Sequence, residues 1–597
     1  MSLNNQLADI FSAIASILEI KGENRFKAIA MGKVSRILGD MTFDVRESVE
    51  KGTIKDIEGI GESSRKIIEE FVRTGRSNDY EEVSASVPPG LLELLRIPGL
   101  GPKTIALFWK ERGVTSLAEL VTAIDKGTLA GLKGVGEKKI EQIKQGIAML
   151  SQASTRRGLV DALPIAEALA MRLRKLPEVG QVEIAGSLRR RRETIGDVDL
   201  ICAIKKSDDG EAVSKAFVTF PEVQRVLGQG TTKASVVTAG GLQVDLRIVP
   251  PDNFGAALLY FTGSKEHNVR LRGRAQDKGM TLNEWGLYKL TDYDGADEQS
   301  RAKKETGRPP GVKAVASGSE EDVYAALGLA WVAPELREDR GEVELAATGK
   351  LPKLIELSDI RGDLHNHTTA SDGVNTIEQM AEAAMELGYK FLGITDHSKS
   401  QVIARGLDES RLMKHVEAIH KVGLKLKGIT LLAGCEVDIL ADGRLDFDDA
   451  ILKELDIVVA SPHIALRQDE SKATDRIVRA IENPYVNIIG HPTGRLINQR
   501  EGLPLNWTRV LGAAASTGTA LEINAGWPRL DLSDIHARGA LQNGVMLSIN
   551  TDAHAVEQFA QMTLGIGVAR RAGAEAGRVI NCMTMEALRK FLKKKRP

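Results

Sequence analysis

Through roughly the first 150 residues, apolar side chains recur three and four positions apart, glycine-centred breaks interrupt them, and β-branched alternation is scarce; this predicts a run of short helices. From about 180 to 290 the pattern shifts to strands, seen in VEIAGS at 182–187, VDLICAI at 198–204 and LQVDLRIV at 242–249. Residues 335–356 are charged, hold Gly349 and Pro352, and have a weak apolar pattern, so they read as a linker. Beyond it, seven strand-like runs alternate with helical ones: RGDLHNH, FLGITDH, TLLAGCEVDI, DIVVASPH, VNIIGHP, TALEINAG and VMLSINTDAH. That alternation predicts a parallel α/β barrel behind a helical region and an α+β segment.

Composition narrows the class. A chain of 597 residues with 42% hydrophobic and 27% charged residues is globular and long enough for several domains. Its apolar runs fall short of the ~20 residues that cross a bilayer, so no membrane association is expected. Asp9 and Glu19 interrupt the first apolar stretch, which therefore reads as an amphipathic helix rather than a signal peptide. Three scattered cysteines, Cys202, Cys435 and Cys582, fit a reducing cytoplasm and leave any metal to other ligands. The net charge of −1 says nothing about nucleic acid, but nine of the ten histidines lie at or beyond His365.

Three segments of the helical region share one motif, Gly-apolar-Gly between helical stretches: Gly59 and Gly61, Gly99 and Gly101, Gly134 and Gly136. Such a turn leaves backbone N–H groups open at the start of the second helix, where phosphate is attracted regardless of base. Lys103 and Lys138 follow two of the turns. The repeat resembles the helix-hairpin-helix motif, which implies contact with the DNA backbone.

In GDVDL, Asp197 and Asp199 stand two apart on a predicted strand and so share a face, and the neighbouring strand presents Asp245. Three converging carboxylates repel unless cations lie between them, which suits a two-metal phosphoryl transfer site. Upstream, Gly186 and Ser187 form a small-residue turn followed by Arg189 to Arg192, a setting for phosphate oxygens.

With YFTGS at 260–264, this spacing resembles the nucleotidyltransferase core of the family X DNA polymerases, over about residues 1–335. The resemblance implies that Asp197, Asp199 and Asp245 hold two Mg²⁺ (or Mn²⁺) ions. It implies that Ser187 and Arg190 hold the triphosphate, that Gly263 and Ser264 form the sugar-side turn, and that Tyr260 and Phe261 line the deoxyribose pocket. Asn268 and Arg272 match positions near the incoming nucleotide and template. The lysine that serves family members as a 5′-deoxyribose phosphate lyase nucleophile is replaced by Ile67, with Lys66 on another helix face, which argues against lyase activity. Ser63 and Ser64 fill the places where a basic residue after the first hairpin is expected.

The strand-like runs beyond 360 end in metal-ligand types: His365, His367, Asp372, His397, Glu436, His463, His491, Asp552 and His554. In a parallel barrel, strand C-termini share one face, so these nine side chains are expected in one cleft. Imidazole and carboxylate without thiolate suit Zn²⁺, Mn²⁺ or Fe²⁺, and such a cluster can activate water against a phosphate ester. The motifs resemble the polymerase and histidinol phosphatase (PHP) domain, and this order of parts resembles the bacterial and archaeal family X enzymes. The resemblance implies up to three ions in a distorted seven-stranded barrel. One is held by His365, His367, Glu436 and Asp552; a second by Glu436, His463 and His491; a third by Asp372, His397 and His554. His415, His420 and His536 read as surface histidines, and Lys399 and Arg405 as possible phosphate contacts.

The expected organisation is a helical DNA-binding region at 1–80, a helix-hairpin-helix subdomain at 81–150, and a nucleotidyltransferase palm at 151–260. A nucleotide- and template-binding subdomain at 261–335, the linker at 336–357 and the PHP domain at 358–597 follow. The expected partners are gapped or primer-template DNA and dNTPs. The oligomeric state is left open, with a monomer expected. The expected activity is gap-filling DNA polymerase joined to 3′ end processing. Rivals are a small-molecule phosphoesterase tethered to nucleic acid, and a DNA-binding scaffold with a structural barrel.

Overall fold

A computed structural model describes residues 3–596 except 40, 42–44, 58, 96, 98–99, 130, 133, 137–138, 142, 145–146, 148–155 and 294–310. Two compact units emerge: residues 1–155 with 467–475 and 503–512, and the remainder of the chain.

The described residues of 1–155 are helices and turns without a strand. One core gathers Leu7, Phe11, Met31, Ile60, Ile67 and Ile68, and another Leu91, Leu100, Ile105, Phe108 and Val135. The central apolar residues of the three glycine turns, Ile60, Leu100 and Val135, are all buried. The motif thus anchors its middle residue in the core, while Gly59, Gly61, Gly101, Gly134 and Gly136 are exposed. Ile67 belongs to the core at 3% exposure, which gives the residue at the lyase-lysine position a packing role.

In the second unit, a five-stranded sheet has the spatial order Val179–Ile184, Asp197–Ile204, Gln243–Val249, Lys233–Thr238, Val223–Gln229. The two aspartate-bearing strands pair in parallel with Asp199 directly beside Asp245, while the other pairs are antiparallel. Helix Phe254–Thr262 packs its Phe254, Ala257 and Leu258 against Ile201 and Val249, which brings its C-terminal aromatic residues toward the aspartate end of the sheet.

The segment read as a linker is folded. Residues Glu342–Thr348 form a helix, and Arg337, Glu338 and Glu342 are buried at 0%, 8% and 4% exposure. Its buried charges are paired: Arg337 Nη1 and Nη2 donate to Glu320 at 2.6 and 3.0 Å.

The seven expected C-terminal strands form one parallel sheet in sequence order, Gly362–Asp363, Phe391–Ile394, Thr430–Asp438, Ile457–Ser461, Ile488–Ile489, Ala520–Asn524 and Leu547–Asn550. The sheet curls until its first and last strands nearly meet. Side chains finish the closure: Asn550 Oδ1 accepts from Leu364 N at 3.1 Å, and Asp363 Oδ2 accepts from Thr551 N at 3.0 Å. At the N-terminal end of the barrel, Phe391, Leu432, Ile457, Ile488, Leu588 and Leu592 fill the core.

Candidate active sites

The first site forms at the Asp197–Asp199–Asp245 face of the five-stranded sheet. Burial first, and then the neighbouring Asp197 and Asp245, pushes the Asp199 carboxyl up to about 7. Burial and Asp245 raise Asp197 as well. Asp245 is held below the usual carboxylate range in spite of its burial, because Lys233, Ser235 and Gln243 bond to it. Lys233 Nζ lies 2.8 Å from Asp245 Oδ2, and Gln243 Nε2 donates to Oδ1 at 3.1 Å. Three converging carboxylates, two of them raised by their acidic neighbours and the third already attracting an ammonium, form a donor set that fits divalent cations.

A cleft of about 740 Å³ adjoins the acids. Of the residues implied for nucleotide binding, Gly186, Ser187, Arg190, Tyr260, Phe261, Gly263, Asn268 and Arg272 line it, whereas Ser264 caps the following helix by accepting from His267 N. Arg156, Arg192 and Lys265 also line it, so its wall is cationic where its floor is acidic. Gly186 is required here: it has φ +64°, and a Cβ would lie 2.5 Å from Asp199 Oδ2. Arg190 Nη1 donates to Thr262 O at 2.6 Å and Nε to Glu338 Oε1 at 3.1 Å, which aims the guanidinium beside the Gly263 turn. Arg247 stacks over Phe261 at 4.7 Å, and Asn268 Nδ2 donates to Tyr260 O at 2.7 Å.

The second site forms at the strand C-termini of the barrel. Glu436 is its centre. The carboxylate lies 3.3 Å from His365 Nε2, 2.8 Å from His397 Nδ1, 3.4 Å from His463 Nε2 and 2.9 Å from His491 Nε2. Despite burial, His463, His365 and His397 hold it well below the usual range. Asp552 Oδ1 lies 2.9 Å from His367 Nε2 and 3.5 Å from His365 Nε2. Asp372 lies 3.4 Å from His554 Nε2 and 3.6 Å from His397 Nε2.

Three groups of ligand atoms are close enough to share an ion: His365, His367, Glu436 and Asp552; His397, Glu436 and His463; and His367, Asp372, His397 and His554. The first coincides with the set that the resemblance implies. In the second, His397 stands where the resemblance implies His491, and in the third His367 joins Asp372, His397 and His554, while His491 reaches the site through Glu436. His365 Nε2 and His367 Nδ1 are buried with no hydrogen-bond partner, and His397 Nδ1 and Glu436 Oε2 face each other at 2.8 Å without hydrogen-bond alignment. Buried polar atoms are nearly always satisfied, so orphans converging on one volume fit bound cations.

Sequence reasoning missed the residues that hold the ligands. Glu522 Oε1 accepts from His365 Nδ1 at 2.8 Å, and Oε2 accepts from His491 N at 2.7 Å. Asn524 Nδ2 donates to Asp552 Oδ2 at 3.0 Å, and Asp438 holds His463 Nδ1. Asp438 follows Glu436 by two residues on one strand, a visible signal, whereas Glu522 lies on the strand that had no assigned ligand. His415 is not the surface histidine expected. It is 8% exposed, and its Nε2 bonds Asp396 Oδ2 at 2.8 Å, the carboxylate that also accepts from Thr368 N and Ser371 Oγ and so shapes the loop bearing Asp372. His536 is also partly buried, and burial and Arg495 push its imidazole down to about 3. His420 is exposed as expected. Lys399 is paired with Glu409 at 2.6 Å.

In the glycine turns, Gly61 and Gly101 are the N-caps of helices Glu62–Thr74 and Pro102–Arg112, neither of which has a side-chain cap. Pro102 removes one N–H from the second turn. Gly59 has φ +92° and Gly134 +81°, and Gly136 O accepts from Lys139 N at 2.9 Å. Gly99 and Lys138 lie outside the described residues.

Family models match along the chain: a helix-hairpin-helix domain at 2–77, a SAM-like helix-hairpin-helix tandem at 91–149, the DNA polymerase beta thumb at 257–338 and the PHP domain at 363–524. The chain is 37% identical over 587 residues to the DNA polymerase/3'-5' exonuclease PolX of Bacillus subtilis, covering 98% of each. A probable phosphatase of Thermoanaerobacter sp. is 31% identical over 245 residues, which is 39% of this chain and 95% of that protein. One of Caldanaerobacter subterraneus is 33% identical over 203 residues, 32% of this chain and 75% of that protein. No helix among the described residues is long and apolar enough to cross a membrane.

Proposed function

This chain belongs to the family of the DNA polymerase/3'-5' exonuclease PolX, and from that premise we propose that it extends primer 3′ ends at the aspartate site and trims or dephosphorylates 3′ ends at the barrel site. The substrates are gapped or primer-template DNA and dNTPs. The observation that carries this reading is that the two metal-ready clusters share no residue and differ in chemistry. One is an acidic floor under a cationic cleft, and the other a buried nest of imidazoles around Glu436.

In the first site, Asp197, Asp199 and Asp245 would hold two Mg²⁺ or Mn²⁺ ions. In the second, the nine His, Asp and Glu ligands would hold up to three of Zn²⁺, Mn²⁺ or Fe²⁺. Divalent ions so held supply Lewis acidity for phosphoryl transfer in both places. Arg190, fixed by Thr262 O and Glu338, presents its guanidinium to a triphosphate, with Ser187 beside it. Tyr260 and Phe261, packed edge to face at 5.2 Å, offer the sugar an aromatic wall, and Asn268 and Arg272 continue it. Among the barrel ligands, Asp372 and His554 have the most exposed side chains, at 32% and 31%, so substrate enters on their side. The hairpins at Gly59–Gly61, Gly99–Gly101 and Gly134–Gly136, with Lys103 and Lys138, grip the DNA backbone without reading bases.

The test is separation of function on one gapped substrate. Asp197→Ala with Asp199→Ala should abolish extension and spare 3′ shortening, and His365→Ala should do the reverse. Loss of both activities in both folded variants would refute the two-site reading.

A further inference from the structure

The loop after His397 carries two aliphatic side chains that nothing buries: Val402 is 79% exposed and Ile403 100%. Single exposed apolar residues are ordinary, so exposure decides nothing alone. What distinguishes this pair is how firmly the backbone beneath it is held. Ser398 N donates to Glu436 O at 3.1 Å, and Leu407 N to His397 O at 2.8 Å, so both ends of the loop are sewn to metal-ligand residues. Gly406 closes the neck so tightly that a Cβ there would lie 1.9 Å from Ser398 O.

Side chains brace it from both flanks. Ser400 Oγ and Gln401 Nε2 donate to Asp438 Oδ2 at 2.6 and 2.7 Å, and the other oxygen of Asp438 holds His463. Opposite, Arg411 Nη1 donates to Arg405 O and Gly406 O at 2.9 and 3.0 Å, while its Nη2 donates to Ala370 O at 2.8 Å, two residues before Asp372. The loop is therefore a braced projection at the rim where the exposed ligand Asp372 marks the entrance. Two side chains are far too little surface for a stable protein partner, which needs about 800 Å² per side. They suit the face of a single base, since apolar wedges that enter base steps and unstack them are a recurring device. Arg405, exposed at the wedge's base and without an ion pair among the described residues, suits the adjoining phosphate.

We propose that the 398–407 loop is a strand-end wedge. Val402 and Ile403 press against the last stacked base of a DNA 3′ end, the terminal nucleotide leaves the stack, and its phosphodiester reaches the barrel ligands. The proposal rests on the reading of the barrel as a 3′-end phosphoesterase.

The experiment compares the full-length protein with Val402→Ser/Ile403→Ser, in Mn²⁺, on fully paired 3′ ends, on ends with two unpaired nucleotides, and on the p-nitrophenyl ester of thymidine 5′-monophosphate. Paired ends should be shortened about tenfold or more slowly by the variant, while unpaired ends and the ester stay within about twofold. With 2-aminopurine as the 3′-terminal base, binding in Ca²⁺ should raise fluorescence for the wild type and not for the variant. Equal rates on paired ends, or equal losses on paired and unpaired ends, would overturn the wedge. A wild type that splits the ester and leaves every DNA end intact would instead overturn the reading of the barrel as acting on DNA 3′ ends, and the wedge with it.

Discussion

Glu522→Gln is the sharpest probe of the barrel site, because the carboxylate touches no candidate ion and yet orients two ligands. Its Oε1 accepts from His365 Nδ1 at 2.8 Å and from Asn550 Nδ2 at 2.8 Å; its Oε2 accepts from His491 N at 2.7 Å and from Asn524 Nδ2 at 3.3 Å. Glu522 and His365 are both 0% exposed. Four donors converge on two oxygens, so an amide must turn its NH₂ toward donors whichever way it is placed. With NH₂ toward His491 N, a buried donor loses its acceptor. With NH₂ toward His365, the imidazole must move its proton to Nε2, the atom that faces Glu436 and Asp552, and so ceases to be a ligand. Leaving a buried donor unsatisfied costs about 1–3 kcal/mol, and loss of such a ligand-orienting partner lowers metal affinity by about 10–100-fold. Titration of Mn²⁺ into the metal-stripped protein reads the affinity directly, and 3′ shortening at limiting Mn²⁺ should fall with it while primer extension in Mg²⁺ is unchanged. Mn²⁺ affinity within about threefold of wild type would refute the argument that Glu522 fixes the tautomer of His365.

Gly186→Ala places a methyl 2.5 Å from Asp199 Oδ2 at φ +64°; primer extension should drop by about 100-fold or more with 3′ shortening intact, as a paired gel assay would report. With its carboxyl near 7, Asp199 must release a proton to bind a cation; the apparent Mg²⁺ affinity for extension should therefore climb toward tenfold per pH unit below about 7 and level off above it, and a flat profile from pH 6 to 8 would exclude this. Burial alone would raise Glu338, yet Arg571, Arg190 and Arg192 hold it at about 2, which corresponds to about 3 kcal/mol of stabilisation. Because that carboxyl is depressed in the fold, the contribution is present above about pH 4.5 and fades as pH falls toward 2. Glu338→Gln should therefore lower the melting temperature at pH 7 by several degrees and raise the KM for dNTPs, and a melting curve superimposable on the wild type would count against it.

Much of both sites is legible in the chain because their ligands sit at positions that local pattern fixes. Asp197 and Asp199 share a strand face by the period of two, and most of the barrel ligands end strands whose C-termini must meet. What pattern cannot supply is partnership across the fold. Glu522 reads as one acid in an apolar strand until His365 and His491 are seen to flank it. His415 sits on helix Glu409–Lys425 and reads as surface until Asp396 is found under it. The charged stretch near 340 reads as solvated for the same reason: composition counts charges, but only tertiary structure shows that Arg337 and Glu320 neutralise each other out of water.

The buried charges of this segment bear on how the two activities relate. Glu338 joins the cleft's Arg190 to Arg571 of the barrel helix Met562–Ala572, at 3.1 and 2.9 Å, and Arg571 also donates to Arg190 O at 2.7 Å. Arg571 continues to Asp534 Oδ2 at 2.8 Å, which Arg340 shares at 2.9 Å. A barrel hung on a solvated tether could be removed without consequence for nucleotide binding. Here its removal would strip Glu338 of one cation and leave Arg190 with a loosened anchor, and breaking buried ion pairs by taking away one partner is costly. Arg190, the arginine proposed to face the triphosphate, is thus held jointly by residues of the cleft and of the barrel. Truncation therefore confounds the two activities, and only substitutions that leave this network whole, such as Glu522→Gln or His365→Ala, can separate them.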